Sequence, residues 1–510
     1  MKWLLGGGTL FLAAFAGATL WMLAGQMQAV RAEDEKKSSI LEDHEHQLPN
    51  ASWKLPTKDE IPILFVARGG NPAAWDALKS FWNETTEKVV DPRTGDASER
   101  KVVKIKLPLG LNTAPPVPTE NPMTVQKWKL GKNLYFNPII SSDLTVSCAS
   151  CHDPKKGFTD QSPFSIGIRG GKGGISAPTV LNSAYHQFQF WDGRASSLED
   201  QSQGPPQNAL EMYDGEGHAW SKLVKRVRED AALVKEFKEV FGTLPTRDTV
   251  AKAIATYERT VFSGNSIHDR AEVAMRKRVA EDDSGTAKLE LKAQDYLSAL
   301  KAAFEAKDTT ALKALQLNPE ADAGKSEEVA KKLVQGRNLF FGKARCSSCH
   351  IGDNFTDNTF HNLGVGAKDG KLPASVAGRY GALPSGHKNP ELFGAFKTPT
   401  LRHLLGTAPY LHDGSEKTLE EVIDFYDRGG NVNEYLDVKM RDENAERAWY
   451  KAEGKDVKLP AEAKVYNGKV IIPLKLNLTR EEKADLVLFL RALQGDDPDA
   501  QVLNAEKSAK

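Results

Sequence analysis

Two short stretches, Cys148-Ala-Ser-Cys151-His152 and Cys346-Ser-Ser-Cys349-His350, decide how the 510-residue chain is interpreted. Each lies inside a longer pattern that occurs twice. Gly131-Lys-Asn-Leu-Tyr-Phe136 precedes the first stretch, Gly336-Arg-Asn-Leu-Phe-Phe341 precedes the second, and Phe-Thr-Asp follows both. Further along, Ala-Pro-Thr-Val-Leu leads to Trp191-Asp-Gly, and Thr-Pro-Thr-Leu-Arg leads to His412-Asp-Gly with the same spacing. This repeat indicates two copies of one domain.

Both cysteine stretches match C-x-x-C-H, the attachment signature of c-type haem. The two thiols bind the haem vinyl groups, and the adjacent His becomes the proximal iron ligand. A redox-active C-x-x-C needs neither the His nor a second copy, and a zinc site needs four converging ligands. The chain has only 4 Cys, so none is left over. We therefore predict two covalently bound c-type haems, held by Cys148, Cys151 and His152 and by Cys346, Cys349 and His350.

Composition and the N-terminal residues set the class of protein and its compartment. Hydrophobic residues make up 40% and charged residues 27% of the chain, which is typical of a globular protein. Lys+Arg and Asp+Glu are both 68, so a basic surface for nucleic acid is not expected. A long apolar run follows Met1-Lys2-Trp3 and predicts a signal peptide or N-terminal membrane anchor within 1–32. We expect an exported protein, periplasmic in a bacterium.

The predicted fold is mainly α-helical, with two cytochrome c-like haem domains related by internal duplication. An N-terminal extension, 33–106, contains a predicted helix near 73–86 and a predicted strand at 101–107. The predicted order of the remaining parts is an N-terminal haem domain (107–270), a helical insertion (271–330), a C-terminal haem domain (331–495) and a tail (496–510).

The second axial ligand of each iron decides the chemistry, because an open position binds peroxide and a filled one transfers electrons. Tyr426 follows Leu419 of the second repeat at the same spacing at which Pro205 follows Leu198 of the first. Tyr can bind iron and Pro cannot. The sequence therefore predicts a six-coordinate C-terminal haem and an open N-terminal haem. An ordinary core aromatic on an amphipathic helix is the alternative interpretation of Tyr426.

Several longer stretches resemble bacterial dihaem cytochrome c peroxidases and MauG-type enzymes. In the first half they include Phe190-Trp-Asp-Gly-Arg-Ala195, Asn208-Ala-Leu-Glu-Met212 and Phe262-Ser-Gly-Asn265. In the second half they include Phe396-Lys-Thr-Pro-Thr-Leu-Arg402 and Ala408-Pro-Tyr-Leu-His-Asp-Gly414. The resemblance covers about residues 107–265 and 331–495.

The resemblance implies a division of labour between the haems. The N-terminal haem activates hydrogen peroxide, and the C-terminal haem receives or stores electrons. In the family, a tryptophan between the haems relays electrons, and the matching residue here is Trp191. A glutamate of the peroxide pocket acts as the acid–base group, and the matching residue here is Glu211. The family also implies one calcium ion, with ligands at the carbonyls of Thr407 and Pro409 and at Ser176, where an Asn is usual.

Two departures from the peroxidase pattern matter. The peroxidases carry a His in the loop before Ala-Pro-Thr that closes the peroxidatic haem, and the loop at 165–174 has none. They also usually ligate the C-terminal haem with Met, whereas Tyr426 stands here as in MauG-type enzymes. Met440 is the nearest alternative but lies off register.

These observations predict a dihaem peroxidase that takes electrons from a small protein such as cytochrome c or a cupredoxin. One alternative is a MauG-like oxidase that oxidises a protein or small substrate. A second is a non-catalytic dihaem electron carrier, which needs a strong sixth ligand at the first haem from His186, Lys172 or His218. Whether the chain forms a homodimer stays open.

Overall fold

The computed structural model describes residues 60–90, 97–452 and 458–504, so the predicted signal or anchor at 1–32 lies outside the described residues. Helices dominate, as predicted. The strands are β1 (Ile63–Val66), β2 (Trp82–Val90), β3 (Ala97–Lys106), β4 (Phe360–His361), β5 (Phe396–Lys397), β6 (Lys464–Tyr466) and β7 (Lys469–Ile471). The helices are α1 (Pro72–Asp76), α2 (Val125–Phe136), α3 (Cys148–Cys151), α4 (Leu198–Gln201), α5 (Ala219–Glu229), α6 (Ala231–Phe241), α7 (Arg247–Glu258), α8 (Ile267–Ala280), α9 (Ala293–Glu305), α10 (Thr309–Ala314), α11 (Ser326–Phe341), α12 (Arg379–Ala382), α13 (Leu419–Asp427), α14 (Glu443–Lys451), α15 (Arg480–Arg491) and α16 (Ala500–Leu503). Within the described part of the chain, no helix is both long and apolar enough to cross a bilayer.

The sheet formed by β1, β3 and β2, in that order, packs on the core of the first half. Strand β3 pairs in parallel with β1 and antiparallel with β2, and its Ile105 is fully buried in the core that also contains Trp128. The strand prediction for 101–107 is confirmed. The helix prediction for 73–86 is wrong beyond the end of α1, because Trp82 begins β2 and packs its ring 5.0 Å from that of Trp128.

A close crossing of two helices forms the centre of each half of the molecule. In the first half α2 crosses α7, and a Cβ on Gly131 would lie 1.8 Å from the carbonyl oxygen of Ala253. In the second half α11 crosses α15, and a Cβ on Gly336 would lie 2.0 Å from the carbonyl oxygen of Asp485. Only glycine permits such close backbone contact. Gly131 and Gly336 occupy equivalent positions in the sequence repeat, so both copies build the same crossing.

The predicted helical insertion consists of several helices that fold on one another. Its apolar side chains form a separate cluster with α8 and α11, whose buried members include Ile267, Ala271, Met275, Tyr296, Leu300, Leu312 and Leu333. Arg278 of α8 donates from Nε to Oδ1 of the buried Asp295 of α9 at 2.8 Å. The helical prediction is confirmed, and the insertion has its own core.

The segment after α15 is anchored on the first half. Val502 of α16 is fully buried, and its carbonyl accepts a hydrogen bond from the Tyr257 hydroxyl at 2.8 Å. Lys132 Nζ donates to the carbonyl of Gln501 at 2.5 Å. The prediction of a tail is therefore wrong for 496–504, because one apolar side chain and two backbone carbonyls fasten this segment to the core.

A buried ion pair and a hydrogen bond from an amide to a carboxylate connect the two halves. Arg402 donates from Nη1 and Nη2 to the Asp269 carboxylate at 2.8 and 3.0 Å, and both side chains are 2% exposed. Asn112 Nδ2 donates to Asp353 Oδ1 at 3.0 Å. These contacts fix the two repeats relative to each other.

Candidate functional site

Each C-x-x-C-H stretch forms a short helical turn with free thiols. The first is α3, and the second is a tight turn over Cys346–Ser348. All four cysteines are unpaired and half-buried. Two free thiols in one turn beside a large cavity are what covalent haem attachment requires. The donor chemistry of both turns therefore fits a c-type haem.

Both motif histidines are held in the tautomer that binds metal. His152 Nδ1 lies 3.3 Å from the carbonyl oxygen of Phe158, and His350 Nδ1 lies 2.9 Å from that of Phe355. A carbonyl only accepts hydrogen bonds, so the proton lies on Nδ1 and the Nε2 lone pair is available to iron. Burial also lowers the pKa of both imidazoles, that of His350 to about 4, which keeps them neutral.

The second repeat lines a cavity of about 180 Å³. Cys346, Cys349 and His350 line the cavity together with Tyr426. The structure thus brings the predicted ligand Tyr426 into the same cavity as the predicted proximal His350.

Tyr426 lies near the end of α13, a helix that Thr418 caps by accepting from the backbone of Glu421. Burial raises the pKa of Tyr426.

Met440, which lies off register in the sequence repeat, also lines this cavity and is 9% exposed. The neighbouring Lys439 connects the Met440 turn to the C-x-x-C-H turn, because its Nζ donates to the carbonyl of Ser348 at 2.6 Å. Repeat register argues against Met440, but the irregular segment after α13 brings its turn back to the cavity.

Charged groups beside this turn resemble a metal site but do not fit one. His361 Nδ1 lies 2.7 Å from Asp437 Oδ2, and its Nε2 lies 2.9 Å from Asp357 Oδ2. Potential ligand atoms of Cys349, Asp357 and His361 lie within 4.8 Å of one another. However, Cys349 belongs to the C-x-x-C-H turn and is predicted to attach haem, and Lys439 Nζ already lies 3.2 Å from Asp357 Oδ2. The group is an ion-pair network that fixes the Met440 turn.

The first repeat forms a cavity of about 140 Å³, lined by Cys151, His152, Pro205 and Glu211 among others. Apart from His152, the described residues that line it include no His, Lys, Met or Tyr. Pro205 lies in the lining, as the register argument predicts. Of the ligands that an electron carrier would need, Lys172 and His218 are not among these lining residues, and His186 lines a neighbouring cavity.

Two carboxyl groups line the first cavity. Asn208 Nδ2 donates to Glu211 Oε1 at 2.6 Å. Burial raises the pKa of Glu211, against the opposing effects of Arg194 and Asn208. Glu258 is 5% exposed, and burial raises its pKa to about 8. Sequence reasoning missed Glu258, because no motif marks it.

Trp191 lines both haem cavities and a third cavity between them. Its Nε1 donates to the carbonyl of Ser176 at 2.9 Å, and its own carbonyl accepts from the backbone of Lys397 at 2.7 Å. Its ring meets that of His412 edge to face, with centroids 6.3 Å apart. Trp191 therefore lies where an inter-haem relay would have to lie.

The three residues predicted to bind calcium line the middle cavity, which has a volume of about 110 Å³. They are Ser176, Thr407 and Pro409. No Asp or Glu is among the described residues of this lining, whereas Lys397 is. Calcium affinity rises with the number of charged oxygen ligands. The donor set therefore offers only neutral oxygens and fits calcium weakly.

Comparison with known proteins places these cavities in a family. The family profile described as di-haem cytochrome c peroxidase matches residues 125–278. Cytochrome-c peroxidase IdrP1 of Denitromonas iodatirespirans is 32% identical over 415 residues, which cover 77% of this chain and 87% of the relative. Methylamine utilization protein MauG of Methylorubrum extorquens is 30% identical over 357 residues, which cover 68% of this chain and 82% of the relative.

A solved structure agrees with these relatives. The crystal structure of a MauG-like protein associated with microbial copper homeostasis matches with a TM-score of 0.53 and 26% identity, covering 77% of this chain and 97% of that one. With two C-x-x-C-H cavities, the chain is a haem-dependent oxidoreductase. It belongs to the dihaem cytochrome c peroxidase and MauG family, which uses two haems for peroxidase or oxidase activity.

Proposed function

We propose that the protein is an exported c-type dihaem peroxidase that reduces hydrogen peroxide at the N-terminal haem. Electrons come from a small donor protein, such as a cytochrome c or a cupredoxin, through the C-terminal haem. The haem domains are the duplicated segments 107–270 and 331–495. One observation carries the proposal: the first cavity holds His152 without a second strong ligand, whereas the second holds His350 together with Tyr426.

When bound, haem iron supplies the electron exchange that converts H₂O₂, two protons and two electrons into two water molecules. Glu211 transfers a proton between the two oxygen atoms of the peroxide. As a carboxylate it accepts the proton from the peroxide oxygen nearer the iron and returns it to the far oxygen, which then leaves as water. Asn208 orients this carboxylate through the 2.6 Å hydrogen bond to Oε1. Pro205 offers no ligand atom, so the space for peroxide stays open.

Trp191 passes electrons between the cavities. Its indole lines both, and two hydrogen bonds hold the residue: Nε1 to Ser176 and its carbonyl to the Lys397 backbone. A fixed orientation serves electron transfer, because the ring does not have to reorganise at each step.

A MauG-like oxidase is the second candidate, and Tyr426 is the observation that favours it. An anionic phenolate oxygen stabilises oxidised iron over reduced iron, which makes the C-terminal haem a poor entry point for electrons. A non-catalytic carrier has less support, since no strong sixth ligand lies among the described residues around His152.

The proposal includes export to the periplasm through the segment at 1–32, as a cleaved signal or a membrane anchor. The proposal also includes a calcium ion at Ser176, Thr407 and Pro409. This ion is weakly bound, because the available ligands are neutral.

Stopped-flow titration of the fully oxidised, haem-loaded protein with H₂O₂ tests the proposal. We expect a rapid change in the haem absorption bands at stoichiometric peroxide, without prior reduction. Turnover with reduced cytochrome c or cupredoxin should then consume two electrons per peroxide. Reaction only after one haem is reduced would show that a sixth ligand closes the first cavity. Rapid reaction without donor turnover would favour the oxidase.

A further inference from the structure

Lys397 of β5 is a buried amine between the two haem cavities. The residue is 6% exposed and lines both the C-terminal and the middle cavity. Its Nζ lies 3.0 Å from Nδ1 of His186, which lines the middle cavity. Because the amine donates, His186 accepts at Nδ1 and carries its own proton on Nε2. The pair therefore presents several N–H groups to the space between the haems.

These donors have no matching acceptor. His186 Nε2 is fully buried and has no hydrogen-bond partner among the described residues. Nε2 of His412, which lines the C-terminal cavity, is also buried without a partner there. The His412 ring stacks on Phe396, the residue next to Lys397, with centroids 3.6 Å apart. The imidazoles of His186 and His412 thus each keep a buried Nε2 atom without a partner among the described residues.

The region also lacks a counter-charge. No carboxylate is among the described residues of the middle cavity, and Asp437, the one acid lining the C-terminal cavity, is hydrogen-bonded to His361. Burial alone lowers the pKa of Lys397 to about 7, with no acid to oppose it. A buried ammonium without a partner is strongly disfavoured, so such a site is complete only when an anion binds.

We propose that Lys397 and His186 form a carboxylate-binding site that receives a haem propionate, an inference that rests on the dihaem function proposed above. His412 adds a further nitrogen at the C-terminal cavity. The site has the features of a carboxylate receptor: a buried ammonium, an imidazole N–H and no competing acid.

The chemistry of haem favours the propionate as the occupant. Its two propionates lie on the edge of the porphyrin opposite the vinyl groups that bind cysteine. Cys346, Cys349 and Lys397 all line the same cavity, so a haem attached there carries its carboxylates into the cavity that Lys397 lines. A free carboxylate from solution offers the same chemistry, and the experiment distinguishes the two sources.

The test uses the haem-loaded Lys397→Met variant, with Lys417→Met as the matched control, because Lys417 is an exposed lysine of the same half. A pyridine haemochrome assay first counts the covalent haems. Spectroelectrochemistry then measures both midpoint potentials, and resonance Raman spectroscopy records the propionate bending bands. Removing a cation favours oxidised iron. We therefore expect the equilibrium constant for reduction of one haem to fall about tenfold, which lowers its midpoint potential by about 59 mV. The propionate band of that haem should shift as well.

The outcomes separate the two proposals. Wild-type protein without two haems would contradict the dihaem function itself. Two haems in Lys397→Met, with potentials and propionate bands like those of Lys417→Met, would overturn the carboxylate site alone. If the wild-type potential depends on added acetate and Lys397→Met loses this dependence, the occupant is a free carboxylate and the propionate assignment is wrong. If Lys397→Met does not mature, His186→Asn decides by the same measurements.

Discussion

Replacing Glu211 by Gln should slow the reaction of the oxidised protein with H₂O₂ by about 10²–10⁴-fold, the usual contribution of a positioned general acid–base group. This corresponds to about 3–5 kcal/mol of activation free energy. Gln is nearly the same size and retains an oxygen to accept the 2.6 Å hydrogen bond from Asn208, so the cavity keeps its shape. The loss therefore reports proton transfer. The assay is the second-order rate constant from stopped-flow absorbance.

The pH profile adds an independent readout. Glu211 accepts a proton only when ionised, and burial raises its pKa, so the rate should rise with pH through a value above that of an exposed glutamate. Asn208→Ala removes a hydrogen bond that lowers this pKa, so the rise should move to higher pH, and the plateau rate should fall because the carboxylate loses the group that orients it. Glu216→Gln, at an exposed position nearby, is the control. If Glu211→Gln matches this control in rate and profile, Glu211 is not the proton carrier and Glu258 becomes the candidate.

Trp191→Phe should keep both haems but slow electron exchange between them in reductive stopped-flow experiments, and unchanged kinetics would remove Trp191 from the pathway. Tyr426→Phe should raise the midpoint potential of the C-terminal haem, because an anionic oxygen ligand is lost. If that potential changes in Met440→Leu and not in Tyr426→Phe, Met440 is the ligand instead. Arg402→Met should lower the free energy of unfolding by about 3–5 kcal/mol in urea titrations, since it leaves Asp269 buried and unpaired. Adding Asp269→Leu should recover much of that loss, and a double variant as unstable as the single one would contradict the argument. Calcium should bind with a Kd of about 10⁻⁴–10⁻³ M by calorimetry, and micromolar binding would show charged ligands that the neutral set lacks.

The sequence contained the features that depend on short spacing. The C-x-x-C-H turns, the equivalent glycines Gly131 and Gly336, and the contrast between Tyr426 and Pro205 can all be recognised by aligning the two copies. Each depends on local geometry or on a helix register, which the chain repeats. The structure places all of them at the two cavities or the helix crossings beside them.

Features that depend on the return of a distant segment could not be predicted. Met440 reaches the C-terminal cavity through an irregular stretch whose path follows from Lys439 and the His361 network. Lys397 and His186 are far apart in the sequence, and neither lies in a pattern that indicates burial. Val502 and Leu503 are two neighbouring apolar residues in a polar stretch, and two neighbours are too few to show a periodicity.

The edge-to-face contact of Trp191 with His412 has a consequence for the origin of the electron path. These residues are counterparts in the two repeats, and a residue near a twofold axis meets its own counterpart across an isologous interface. On the proposed duplication, the boundary between the halves corresponds to the contact of a symmetric homodimer fused into one chain. On the proposed function, an indole on one side and an imidazole on the other break that symmetry at its centre and give the two haem sites different surroundings.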